Sequence, residues 1–255
     1  IIMEDGKPAG VVINGEKEVR CKYIISNSYP YAVFKDLFNK EDIPEKQLKM
    51  LKSRKVACSL TTVYLGMNKT KEELGIKDYS VFIAPDSDSD KQYEAAQNFK
   101  SGFCIINCLN EIIPDCTPEG TCQLFLTTMT FGDVMKDVRP QDYKKFKNEI
   151  AKDMIETCEK ALNISIMPYI EEIEVALPPT FARYLNTPFG TPYGYLLEKW
   201  DSMIPRTVQY LTDQPFDNFF FCGASQERGD GYGCAYYTGE KAGGLVVNAI
   251  KKEGK

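Results

Sequence analysis

Asp217-Asn218-Phe219-Phe220-Phe221-Cys222-Gly223-Ala224-Ser225, then Gln226-Glu227-Arg228-Gly229-Asp230-Gly231-Tyr232-Gly233, then an apolar run to Ile250, is the stretch that decides the fold. Three phenylalanines and a cysteine in succession suit a strand covered on both faces. Gly223, Gly229, Gly231 and Gly233 permit positive φ and let another molecule approach the backbone closely. A helix beginning there would turn unpaired N–H groups and a partial positive charge toward the loop, a setting suited to phosphate. The same glycines also fit an ordinary tight strand-to-helix connection. The final helix, Cys234 to Lys252, carries Ala235, Gly239, Ala242, Gly243 and Ala249 among larger apolar residues. Each interior glycine costs about 1 kcal/mol relative to alanine, so tolerating several implies close contact with a sheet or a ligand.

Upstream, residues 1–26 read as a β-meander with turns at Asp5-Gly6 and Asn14-Gly15, ending on the buried Ile24-Ile25-Ser26. Pro30 suits the first turn of a helix to about Leu37, and Glu45 to Arg54 is a charged amphipathic helix. Strands are expected at Val56–Met67, Tyr79–Ile83, Phe103–Cys108, Cys122–Thr128 and Ile170–Leu177. Pro140 to Ala161 is the clearest helix, with Phe146, Ile150, Met154, Ile155 and Cys158 at helical spacing. A short helical turn at Thr180–Leu185 precedes Pro188-Phe189-Gly190-Thr191-Pro192-Tyr193-Gly194-Tyr195. That segment is either an irregular loop whose aromatics pack on the core or the rim of an apolar site.

Composition narrows the function. The chain has 255 residues, 43% hydrophobic and 26% charged, enough for one large domain or two modest ones. A net charge of −5 argues against nucleic acid as a partner. No apolar run reaches the roughly 20 residues of a membrane span. Nine cysteines without a regular framework suggest reduced thiols and a cytoplasmic setting. There is no histidine, which removes Ser-His-Asp and Cys-His catalysis and His-ligated metals. Cys104, Cys108, Cys116 and Cys122 invite a zinc reading, but no C-x-x-C pair occurs, and strand alternation puts Cys104 and Cys108 inside as small hydrophobes. Asp86-Ser87-Asp88-Ser89-Asp90 is a polar loop lacking the glycine and distal glutamate of a calcium site. No metal is expected. The opening Ile1-Ile2 looks like the end of a strand, so the chain is expected to be a piece of something longer.

Three segments together resemble the C-terminal half of FAD-dependent oxidoreductases of the phytoene desaturase, carotenoid isomerase and retinol saturase group. The first runs from Glu4-Asp5-Gly6-Lys7-Pro8-Ala9-Gly10-Val11-Val12 through Tyr23-Ile24-Ile25-Ser26-Asn27, with Ser28 where alanine is usual. The second is Leu60-Thr61-Thr62-Val63-Tyr64-Leu65-Gly66-Met67. The third is Asn218 to Ser225 with Gly229-x-Gly231-x-Gly233 and Thr238-Gly239. Their order and span cover nearly the whole chain. Cys234, Tyr236 and the charged pair Glu227-Arg228 depart from the family pattern.

The resemblance implies an α+β (mixed α/β) protein. A mixed or antiparallel sheet under helices would form a substrate domain at residues 31–199. Residues 1–30 and 200–255 would form a partial FAD-binding domain without the N-terminal Rossmann βαβ unit, since no G-x-G-x-x-G fingerprint occurs. It would place the backbone of Gly223, Ala224, Gly233, Cys234 and Ala235 along FAD, and Phe189, Tyr193, Tyr195 and Tyr236 at the substrate. The missing N-terminal half of the same protein would supply the remaining FAD contacts, so the isolated piece is expected to lack FAD and to be inactive. The expected reaction is hydride transfer between flavin and an apolar polyene or related lipid, with no catalytic acid or base assignable and with peripheral membrane contact for substrate access. The alternatives are a non-catalytic lipid-binding protein of the Rab GDP-dissociation-inhibitor type and an amine-oxidising flavoenzyme.

Overall fold

The computed structural model describes residues 1–212, 214–227 and 231–254. Gly229 of the glycine-rich loop, with Arg228 and Asp230, lies outside the described residues. In chain order the elements are β1 (Ile2–Glu4), β2 (Lys7–Ile13), β3 (Lys17–Arg20), β4 (Ile24–Ser26), α1 (Pro30–Asp36), α2 (Glu45–Ser53), β5 (Ser59–Met67) and β6 (Ser80–Ile83). There follow α3 (Ser89–Ala95), β7 (Cys104–Cys108), β8 (Cys122–Thr130), α4 (Tyr143–Leu162), β9 (Ile170–Ala176) and α5 (Pro178–Leu185). Last come α6 (Met203–Thr212), β10 (Phe219–Phe221) and α7 (Gly231–Glu253). The fold class is α+β.

The chain forms two compact units, residues 1–57, 186–188 and 192–255 in one and residues 58–185 and 189–191 in the other. Residues 31–57 and 192–199 therefore fold with the termini and not with the central unit in which the sequence placed them. The cause is long-range pairing that no local pattern shows. Val56 bridges Tyr195, the Ala57 amide donates to the Gly194 carbonyl at 3.0 Å, and the Tyr29 and Tyr195 rings lie 5.1 Å apart.

In the first unit β1, β2 and β3 form an antiparallel meander. Asp5 and Gly6, both at positive φ (49° and 73°), make the two-residue turn that closes its first hairpin. β4 and β10 pair in parallel, with Ile24 opposite Phe219 and Ser26 opposite Phe221. The three phenylalanines of β10 are buried and divide by strand alternation. Phe219 and Phe221 pack with Val33, Phe34 and Phe38, whereas Phe220 packs with Cys222 and with Ala242 of α7. Each ring so buried contributes about 1.5–3 kcal/mol. The expected two-sided strand is thus explained by helices on opposite faces.

The second unit is a five-stranded antiparallel sheet in the order β6-β7-β8-β5-β9. Its core joins Val63, Leu65, Leu124 and Leu126 of the sheet to Ile150, Met154, Ile155 and Cys158 of α4. Cys104 and Cys108 lie inside that core, and the Cys104 and Cys158 sulfurs are 3.4 Å apart. The acidic 86–90 segment is only partly loop: α3 starts at Ser89, and the Asp88 carboxylate caps it by accepting from the Asp90 and Lys91 amides. Among the described residues no helix is long and apolar enough to cross a membrane.

Candidate functional site

In the first unit the candidate site gathers at the carboxyl ends of the parallel pair β4 and β10, the position where ligands bind in open parallel sheets. The Cys222 amide donates to the Ser26 carbonyl at 2.9 Å and carries the pairing one residue past β10. The chain then turns at Gly223, whose φ is +90° and whose absent Cβ would fall 1.9 Å from Asn27 Oδ1. No other residue fits there. The buried Thr238 hydroxyl, on the second turn of α7, accepts from the Gly223 amide at 2.8 Å and donates to the Cys234 carbonyl at 2.9 Å. The two segments Asn27 and Gly223-Ala224-Ser225 are thereby fixed against α7. Gly194, at φ +83°, approaches from the other side: a Cβ there would lie 2.4 Å from Ser225 Cα and 3.0 Å from the Ala224 carbonyl oxygen.

The first turn of α7 differs from this tightly packed loop. Added Cβ atoms at Gly231 and Gly233 would meet nothing within 4 Å, and the turn carries no acidic residue. Gly233 is exposed and Ala235 half-buried, whereas the Cys234 side chain is buried. A helix start with open space around its glycines suits an anionic or polar cofactor group such as a flavin pyrophosphate chain.

Of the aromatic residues singled out in sequence, Tyr195 is 3% exposed, Tyr193 half-buried and Tyr236 78% exposed. Tyr236 shares the open side of α7 with Tyr232, so these side chains occupy distinct settings. The Tyr195 hydroxyl is buried beside that of Tyr29. Burial pushes its pKa up to about 12, against the lowering pull of hydrogen bonding with Tyr29 and of the Arg54 and Arg206 guanidiniums. Tyr29 is raised too, again chiefly by burial.

Around Tyr195 lies a charged cluster that sequence reading missed. Arg54 donates to both Asp201 carboxylate oxygens, at 3.0 and 3.1 Å, and its charge sits 5.3 Å from the Tyr195 ring centre. Arg206 donates to Asp201 at 2.7 Å and to the Tyr195 and Leu196 carbonyls at 3.2 and 2.7 Å. Residues 54, 201 and 206 carry no spacing signal, because only the fold brings them together.

Phe189 belongs to the second unit. It has φ 54°, uncommon for a bulky residue, and its carbonyl accepts from Ser59 Oγ at 2.5 Å. Its ring borders a cavity of about 250 Å³ whose other walls include Val134, Met135, Pro178, Pro179 and Ala182. The cavity is almost wholly apolar. Among the described residues no group of three histidine, cysteine or acidic side chains is arranged to hold a metal ion.

Comparison with known proteins bears on what these sites serve. No protein-family model matches the chain. It is 28% identical over 204 residues to the prolycopene isomerase of Daucus carota, a match covering 77% of this chain and 32% of that protein. It is also 28% identical over 254 residues to the all-trans-retinol 13,14-reductase of Danio rerio, covering 88% of this chain and 40% of that protein. The carotenoid isomerase and retinol saturase group is the one this chain resembles. It spans about a third to two-fifths of the length of those relatives. A solved structure of an oxidoreductase from Methanosarcina mazei aligns with 98% of this chain and 47% of its own, at a TM-score of 0.49 and 14% identity. The relationship to isomerase and reductase sequences reaches both units of the chain.

Proposed function

We propose that this chain is the closing part of a flavin-dependent oxidoreductase that acts on an apolar polyene or related lipid. The observation that carries the reading is the similarity over 88% of the chain to a reductase of all-trans-retinol, joined by prolycopene isomerases. Those names point to conjugated, apolar substrates.

FAD, when bound, supplies hydride acceptance or donation at its isoalloxazine ring. The chain's own residues do the positioning. The backbone of Gly223, Ala224, Gly233, Cys234 and Ala235 would lie along the cofactor, with Thr238 and Asn27 holding the loop from behind. Phe189 would form one wall of an apolar cavity that excludes water from a hydrocarbon substrate. Hydride transfer to or from a polyene is accompanied by gain or loss of one proton at the neighbouring carbon, and no side chain of this chain is assigned to that proton.

A cofactor half elsewhere in a longer protein completes the reading. It is supported by β4 and β10, which among the described strands pair with each other alone, whereas parallel strands ordinarily sit inside larger, covered sheets. It is also supported by α7, whose exposed side carries Tyr232, Tyr236, Val247 and Ile250 beside glycines 239, 243 and 244, which have open space above them.

The test is the visible absorption spectrum, with mass analysis of any released cofactor, on this chain and on the full-length protein. A colourless chain beside a yellow full-length protein carrying FAD supports the split site. A yellow chain would overturn the need for an upstream half. A full-length protein that stays colourless would overturn the flavin reading and favour a lipid carrier.

A further inference from the structure

The flavin reading gives no role to Glu227, a charged residue in the loop after β10. It is the last described residue before Gly231 opens α7, yet it is only 2% exposed. Both carboxylate oxygens accept from Lys241 Nζ, at 2.9 and 2.8 Å. Lys241 lies on α7 with its side chain 16% exposed. The same ammonium stands 4.9 Å from the Tyr210 ring centre and 5.6 Å from that of Tyr237. Tyr210 in turn donates its hydroxyl to the Phe221 carbonyl at 2.9 Å. One end of the 222–227 segment is therefore tied through Phe221 and Tyr210, the middle through Gly223 and Thr238, and the far end through Glu227 and Lys241.

From this we infer that Glu227 and Lys241 are positioning residues, holding the loop after β10 in the conformation that receives the flavin; the inference rests on the flavin reading above. A buried ion pair gains little net stability over apolar residues of the same size, because desolvation offsets the Coulomb attraction. Its consequence is directional. The pair fixes the far end of the 222–227 segment against α7, and hence where the backbone of that segment lies. Neither residue touches the cofactor in this scheme. Their effect is transmitted through backbone placement.

The experiment is an FAD titration of the full-length protein, read by quenching of flavin fluorescence and by the position of the visible flavin bands. Wild type is compared with Glu227→Gln, Lys241→Met and the double variant. Each single substitution is expected to weaken FAD binding about tenfold and to shift the flavin bands. The double variant is expected to be no weaker than the worse single, since both remove one interaction. Binding within twofold of wild type in any folded variant, or losses that simply multiply in the double, would overturn the inference. A wild type that binds no flavin would overturn the underlying reading as well, which separates the two failures. Amide hydrogen exchange of the unmutated protein guards against variants that fail to fold. The Cys222, Gly223 and Gln226 amides, each with an acceptor in the fold, should be as protected as those of Cys234–Thr238, and free exchange of these three would overturn the clamp without any mutation.

Discussion

Replacing Thr238 by valine removes one oxygen atom and keeps the side chain's shape. Among the described residues that oxygen is the acceptor for the buried Gly223 amide, at 2.8 Å. Leaving a buried donor unpaired costs about 1–3 kcal/mol, while the added methyl returns about 0.8 kcal/mol of apolar burial. The Cys234 carbonyl loses the hydroxyl's donation but remains inside a continuous helix. The net expectation is a loss of about 0.2–2 kcal/mol confined to the first unit. Trp200 is the sole tryptophan and belongs to that unit, so its fluorescence in urea reports on the right transition. With a slope of about 2 kcal/mol per molar, the midpoint should fall by roughly 0.1–1 M. Hydrogen exchange at the Gly223 amide should accelerate in the valine variant and stay near wild type in Thr238→Ser, which keeps the hydroxyl. A valine variant with an unchanged midpoint and an unchanged Gly223 exchange rate would refute the claim that Thr238 holds this loop.

Asp201→Asn should lower the stability of the same unit by about 3–5 kcal/mol in the Trp200 assay, because it strips the shared counter-charge from half-buried Arg54 and buried Arg206. Alkaline titration should show a loss with a definite sign. The folded pKa of Tyr195 is raised from about 10 to about 12, so its neutral form is favoured in the fold. The associated stability is complete below about pH 10 and lost as pH rises toward 12, a change of about 2–3 kcal/mol that Tyr195→Phe should remove. Phe189→Gly should leave stability within about 1 kcal/mol of wild type, since relief of the positive φ offsets the lost ring contacts. The same variant should weaken binding of an apolar fluorescent probe to the second unit at least about fivefold, the equivalent of about 1 kcal/mol. Unchanged probe binding would remove Phe189 from the pocket.

Several features were legible in the chain because short-range physics writes them there. Asp5-Gly6 can only turn, and the run from Phe219 to Cys222 can only be buried. The 20 residues of α4 announce themselves by apolar spacing, and the alternation of Cys104, Ile106 and Cys108 follows from the pleat. The three family-like segments also marked Gly223 and the start of α7 as the stretch to examine.

What the sequence by itself determined is therefore most of the strands and helices, though not α3 or α6, the loop that closes the first unit and the group of proteins it resembles. Only the tertiary structure decided which elements fold together and which polar groups meet. The joining of residues 31–57 to the C-terminal segment rests on pairs such as Arg54 with Asp201, 147 positions apart. Thr238 became the partner of Gly223, and Glu227 that of Lys241, because a strand, a turn and a helix fold back on one another. Helix α3 escaped notice because its start lies in an acidic stretch with no apolar period, and its signal is the single cap at Asp88. Local periodicity encodes which face of an element is apolar, but it holds no record of distant charges that must share a buried counter-ion.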